Sequence, residues 1–332
     1  MKSFTVNNND SGQRLDKFLT KSVPLLPQSL MYKYLRSKRI KLNGKRAEGS
    51  VRLCPGDCVE LYINDEFFAP RAEQWDFLHA GKTVDIVYED ENILLLNKPA
   101  GLLSHPDENE YGDTAVARIQ RYLYEKGSYN PALESSFAPA LANRIDRNTA
   151  GIIIAAKNAE ALRVLNEKIR LRQLHKLYLC VCIGEFDKPE GVLNGYLEKN
   201  EKQNRVYVSA DAGERSKQIS TKYTVLDCRG GLSLLEIELL TGRTHQIRAH
   251  LASIGHPLLG DGKYGTNSAN KQFGGYKKQC LCSYKLTFDF TDDAGILNYL
   301  NRKSFELKNV WFRDEFKTLG TYKPLKPGTK KR

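Results

Sequence analysis

Asp146 stands between Arg144 and Arg147 in the run Asn143-Arg144-Ile145-Asp146-Arg147-Asn148-Thr149-Ala150-Gly151, just ahead of an apolar stretch. A guanidinium beside a carboxylate favours the ionised form, and an ionised carboxylate can act as nucleophile or base. A structural Arg–Asp pair bracing a turn accounts for this run equally well. A second polar cluster extends from Thr241 to Leu251, holding Arg243, His245, Arg248 and His250, and continues to Gly260-Asp261. There a strand gives way to a helix, and helix N-terminal amides with two arginines suit an anion. His245 and His250 invite metal or general-base readings. They lie five residues apart, which does not set them on one helix face as the i, i+4 spacing of helical zinc motifs does. Structural or anion-contacting roles are therefore favoured, and no metal is expected.

The composition agrees with an anionic partner. The chain of 332 residues carries a net charge of +12 and has a pI near 9.2, and basic side chains gain by displacing counterions from phosphates. The length admits one large domain or two ordinary ones. Hydrophobic residues make up 41%, enough for a sizeable core, and the mean hydropathy of −0.50 suits a soluble chain. No apolar run reaches the roughly 18 residues of a membrane span. Met1–Val6 and the three asparagines after it lack the apolar stretch of a signal peptide, so a cytoplasmic location is expected. Cys180/Cys182 and Cys280/Cys282 form C-x-C pairs among the seven cysteines. Within strands that spacing puts both thiols on one face, and buried reduced thiols are expected rather than a zinc knuckle.

The elements that must position these residues alternate irregularly. Residues 12–63 form a small unit: a short amphipathic helix from Gln13, a helix over Ser29–Arg36, then short strands around the Asn43-Gly44 and Pro55-Gly56-Asp57 turns. Residues 64–83 have mixed composition and are expected to be a linker. From residue 84 to 316 strands are expected at Val84–Tyr88, Ile93–Asn97, Ile152–Ala156, Leu177–Ile183, Arg205–Ser209, Gln218–Val225 and Leu232–Leu239, with helices at Thr114–Tyr124, Ala159–Arg172 and His245–Ile254. Residues 317–332 form a basic, breaker-rich tail. Strict β-α alternation is missing, which argues against a doubly wound parallel sheet. The expected class is α+β: a mixed, largely antiparallel central sheet flanked by helices, preceded by a small α/β domain.

In the small unit Lys33, Arg36, Lys38, Arg39, Lys41, Lys45 and Arg46 crowd around one helix end and turn, with no acid between Lys33 and Arg46. This is a compact positive patch, to which Tyr32 and Tyr34 would add stacking faces. Arg14-Leu15-Asp16, Lys38 to Gly44 and Pro55-Gly56-Asp57 resemble the RNA-binding module named after ribosomal protein S-four. That resemblance implies RNA backbone contacts from the patch.

The longer unit resembles the RluA-type pseudouridine synthases over about residues 84–290. Asn143–Gly151 is similar to their aspartate motif, with Asn143 where a histidine is usual. Lys176-Leu177-Tyr178 matches their tyrosine motif, and Thr241–Leu251 with Gly260–Gly265 their third motif. Asn97-Lys98-Pro99-Ala100-Gly101-Leu102 matches a first, structural motif. The resemblance implies isomerisation of uridine in RNA after the nucleotide is flipped from its stack, at a cost of a few kcal/mol. It implies that Arg144 takes the place of the departed base, that Asp146 attacks the ribose or otherwise promotes cleavage, that Tyr178 stacks on the base or takes a proton, and that Arg248 holds Asp146. Arg243 and His245 would contact RNA. No cofactor is implied, and the chain shows no glycine-rich nucleotide loop.

Two rival classes fit parts of this pattern. A non-catalytic RNA-binding assembly factor would use the basic patch and tail but leaves Asp146, Tyr178 and Arg248 unexplained. A glycoside hydrolase needs two carboxylates flanking the bond, for which Glu89, Asp90 and Glu91 are available in an acidic turn. Among RNA substrates, large-subunit ribosomal RNA is expected first and transfer RNA second. A monomer is expected.

Overall fold

The computed structural model describes residues 1–68, 75–108, 110–203 and 205–319. The first unit contains β1 (Lys2–Thr5), α1 (Leu15–Ser22), α2 (Gln28–Arg36), β2 (Ile40–Leu42), β3 (Lys45–Arg46) and β4 (Cys58–Leu61). The strands form one sheet in the order β1-β4-β2-β3. Leu15, Phe18 and Leu19 of α1, Met31 and Leu35 of α2, and Ile40, Val59 and Leu61 of the sheet share one core. β1 precedes the 12–63 unit read from the sequence, and it pairs with β4 from Lys2↔Leu61 to Thr5↔Cys58. Four mostly exposed residues at a sheet edge give too short an alternation to stand out.

The segment expected to be a linker is packed where it is described. Phe77 and Ala80, in and after a 3₁₀ turn at Asp76–His79, are buried with Ala117. One anchoring aromatic carries no periodicity, so composition alone does not reveal it.

The second unit contains β5 (Ile86–Glu89), β6 (Ile93–Lys98), α3 (Ala115–Glu125), β7 (Ala140–Leu141), β8 (Ala150–Ala156), α4 (Ala159–Arg170), β9 (Leu174–Ile183), β10 (Glu190–Asn200), β11 (Arg205–Ser209), β12 (Lys217–Arg229), β13 (Leu232–Leu239), α5 (Gln246–Ser253), α6 (Asn267–Gln272), β14 (Leu281–Phe288), β15 (Ser304–Glu306) and α7 (Trp311–Leu319). Its eleven-stranded sheet runs β11-β10-β12-β13-β9-β14-β8-β6-β5, with β15 on β14 and β7 on β8. β14 and β8 pair in parallel at Cys282↔Ala150 and Ser283↔Gly151, while the other described pairings are antiparallel. The mixed, largely antiparallel sheet expected from the sequence is the one observed. Apolar cores cover both faces, which is why β8, buried along its whole length, reads as a continuous apolar run. Thr114 and Asn158 cap α3 and α4 through Ala117 N–H and Ala161 N–H.

Polar contacts join the units: Gln13 Nε2 donates to Ser136 Oγ at 2.7 Å, and Arg163 Nη1 to the Ser11 carbonyl at 3.0 Å. Of the basic tail, residues 317–319 belong to α7, and 320–332 lie outside the described residues.

Candidate active site

Asp146 lies on the loop between β7 and β8, and both sides of that loop are fastened. On one side Lys98, fully buried at the end of β6, donates to the carbonyls of Pro99, Leu102 and Arg147 at 3.0, 2.6 and 3.0 Å. Ser104 Oγ donates to the Ile145 carbonyl at 2.9 Å, and Gly101 N–H to that of Arg147 at 2.8 Å. On the other side Gln279 Nε2 donates to Thr149 Oγ1 at 2.7 Å. Asn143 Oδ1 accepts Ile154 N–H at 2.8 Å, so this residue braces the loop against β8. The loop re-enters the sheet through Gly151, at φ +115°, where an added Cβ would stand 2.3 Å from the Ser283 carbonyl oxygen. Only glycine lets β8 approach β14 this closely.

Arg248, on the buried face of α5, donates from Nη1 to Asp146 Oδ2 at 3.2 Å. Its Nε and Nη2 form a fork onto Asp261 at 2.7 and 3.0 Å. Asp261 is 1% exposed and also accepts Lys263 N–H and Tyr264 N–H. Burial works against its charge, but these donors, Arg248 foremost, hold its carboxyl below the ordinary range. Burial likewise opposes the guanidinium, and Asp261 and Asp146 outweigh it, raising Arg248. The result is a rigid cation that turns Nη1 to Asp146. His245, at φ +55° just ahead of α5, brings Nε2 to 3.9 Å from Asp146 Oδ2 while Nδ1 lies 2.9 Å from the Tyr264 hydroxyl. Desolvation lowers its pKa. Gln246 stabilises the bend by bonding Thr241, Arg243, Ser220 and Thr221.

Tyr178 rises from β9 beside this pair, opposite Ser283 and Ile237 of the neighbouring strands. It is buried, and desolvation first, with the Asp146 charge adding, pushes its phenol up to about 12 despite a bond with Ser283. The ring therefore keeps its proton near neutral pH. Asp146, Tyr178, Arg248, Arg144, Arg243 and His245 all line one cleft of about 600 Å³. Asp146 is the only acid among the described residues lining it, which include Arg144, Arg170, Arg172, Lys176, Arg243 and Arg248. Arg144 and Arg243 are exposed at this cleft.

The chain matches the family model for RNA pseudouridylate synthase over residues 92–253. An uncharacterised RNA pseudouridine synthase of Mycoplasma genitalium is 31% identical over 317 residues, covering 93% of this chain and 97% of that protein. The chain belongs to the RNA pseudouridylate synthase family. The synthase is also 32% identical to ribosomal large subunit pseudouridine synthase D of Borreliella burgdorferi, over 87% of this chain and 85% of the relative. Ribosomal large subunit pseudouridine synthase C of Haemophilus influenzae is 28% identical over 93% of this chain and 94% of the relative. Among solved structures, human RNA pseudouridylate synthase domain containing 4 aligns with a TM-score of 0.55 at 19% identity, covering 71% of this chain and 92% of that one. Human domain containing 1 aligns with a TM-score of 0.50 at 20% identity, covering 74% and 97%. These two share the fold of the synthase.

Residues outside the cleft fall into place differently. Glu89 is occupied by Lys126, Lys157 and Tyr122, and Asp90 by Tyr299 and two backbone N–H groups. The acidic turn thus braces the fold, and with Asp261 held by Arg248 the hydrolase reading finds no second carboxylate among the described residues of the cleft. His250 is buried, with Nδ1 3.0 Å from Thr221 Oγ1. In the first unit Lys33, Arg36, Lys38, Arg39, Lys45 and Arg46 are exposed and Lys41 is half-buried. Of the two tyrosines expected to offer stacking faces there, Tyr32 is half-buried and Tyr34 offers none. Tyr34 is buried with the Arg39 guanidinium 4.6 Å from its ring centre, and Tyr32 donates to Asp16. Their place on α2 turns them to the core. The sequence placed Lys98 in a structural motif and Asp261 and Tyr264 in the third motif, but not the partners that each of them holds. The signal for Asp261 was an acid between two glycines, a turn whose backbone N–H groups are free to bond it.

Proposed function

We propose that this synthase isomerises specific uridines in structured RNA, with large-subunit ribosomal RNA as substrate and Asp146 as the group that opens the glycosidic bond. The observation that carries this reading is the single acid among the described residues of a cationic cleft, oriented by Arg248 and flanked by the Tyr178 ring. The large-subunit activity named for the Borreliella and Haemophilus relatives supports the substrate. The target nucleotide leaves its stack, and Arg144 at the mouth fills the gap. Asp146 promotes cleavage of the N1–C1′ bond, the uracil turns on the Tyr178 face, and C5 bonds to C1′. The proton released from C5 is balanced by one taken at N1. Tyr178, protonated near neutral pH, serves as a stacking platform rather than a proton acceptor. Arg243 and His245 contact the strand beside the target. Residues 12–63, an S-four-type module, hold the surrounding RNA through Lys33, Arg36, Lys38, Arg39, Lys41, Lys45 and Arg46.

Asp146→Asn is expected to bind RNA as the wild type does and to form no pseudouridine. Product made by that variant would remove Asp146 from the reaction. Mapping pseudouridines in cells with and without the gene tests the substrate: sites missing from large-subunit RNA support it, and sites missing only from transfer RNA overturn it.

A further inference from the structure

Lys176 is a cation of the cleft that the fold does not use. It precedes Tyr178 by two residues on β9, so both side chains leave the same face of the strand. Both line the cleft. No hydrogen bond, ion pair or ring contact engages Lys176 among the described residues, whereas Lys98, Lys126, Lys157 and Lys168 all have protein partners. Burial lowers its pKa. A half-buried ammonium that no acid of the described fold pairs is costly to keep charged, and an anion beside it offsets that cost.

The anion's place follows from the strand. Two residues advance β9 by roughly 7 Å, comparable with the reach from a nucleobase to its own phosphate. A base stacked on Tyr178 therefore carries its backbone toward Lys176. Arg170 and Arg172, at and just beyond the end of α4, line the same cleft and extend the positive wall. We propose that Lys176 binds a phosphodiester of the target strand and so sets the flipped nucleotide against Tyr178, as a positioning residue of the proposed reaction. This rests on the reading of the cleft as the uridine site.

The test uses the full chain and a short oligouridylate as probe, with Lys176→Met and Lys176→Arg variants. Affinity is measured across a salt series. Releasing one phosphate from the protein lowers the slope of log affinity against log salt by about 0.7 for a single strand. Lys176→Met is expected to show that decrease and a raised KM for RNA with kcat less affected, while Lys176→Arg keeps the wild-type slope. Removing an unpaired, partly buried charge also predicts that Lys176→Met melts no lower than the wild type. An unchanged slope in Lys176→Met overturns the phosphate contact, and a lowered melting temperature overturns it in favour of a structural role. Failure of the catalytic reading appears separately: the slope shift would persist in a protein that modifies no uridine.

Discussion

At the scale of single residues, the cleft depends on a relay of fixed geometry. Asp261 accepts two N–H groups from Arg248 and two from the backbone, so the guanidinium has one orientation in which to meet Asp146. Asp261→Asn weakens this fork and leaves Arg248 buried beside a neutral amide. Breaking one partner of a buried pair costs roughly 3–5 kcal/mol, and a displacement of about 1 Å at the reacting group lowers turnover by about 10²-fold. Thermal unfolding and single-turnover rates are expected to show both effects, with RNA affinity nearly unchanged. Turnover equal to that of the wild type would refute the relay. Arg144, Asp146 and Arg248 were legible in the sequence because charged residues clustered beside apolar runs. The role of Asp261 was not, because its partner lies thirteen residues away across a turn and only folding aims one at the other.

At the scale of elements, the Asp146 loop is stabilised by its neighbours more than by itself. Lys98 closes the β6 end by donating to three carbonyls, which match the three N–H groups of an ammonium. Burial pulls its pKa from 10.5 to about 7, and the Asp146 charge opposes that only in part. The unfolded chain therefore holds this proton between about 7 and 10.5 when the folded protein has released it. Stability gains from this group as pH rises through that window, and its cost is greatest below it. Urea unfolding at about pH 7 and about pH 10 is expected to show wild-type stability rising relative to Lys98→Met. Parallel pH dependences would show that Lys98 does not titrate there. Strand boundaries were legible at β11 and β13, where alternating or continuous apolar residues end at turns. β10 was missed because Gly191 and Gly195 weaken the strand pattern. Tertiary packing needs those glycines: a Cβ at Gly191 would lie 2.8 Å from the Tyr223 hydroxyl.

At the scale of the whole molecule, charge and architecture divide the work. The net charge of +12 is concentrated in part on exposed side chains of the first unit, away from its core. Arg39 and Lys41 also stack on Tyr34 and Tyr62, so the cleaner test replaces Lys38, Lys45 and Arg46 by Gln. RNA affinity in a salt series is expected to fall, with the slope reduced by about 0.7–0.9 for each phosphate that the variant no longer neutralises. Turnover at saturating RNA should stay within about twofold, because those residues lie outside the cleft. Unaltered affinity would place the main RNA surface elsewhere.

The sequence by itself determined the local chemistry: an arginine-flanked aspartate, a polar strand-to-helix junction, a basic patch and apolar patterns that build an α+β sheet. These are properties of neighbouring residues, and neighbours are visible along a chain. Only the tertiary structure decided which charges meet. It set Arg248 against Asp146 across 102 positions of sequence, assigned Glu89 to Lys126 and Lys157, and left Lys176 facing the cleft. Such pairings arise from strand order and close backbone approach, as at Gly151 and Ser283, and those are fixed by packing the whole sheet rather than by any one segment.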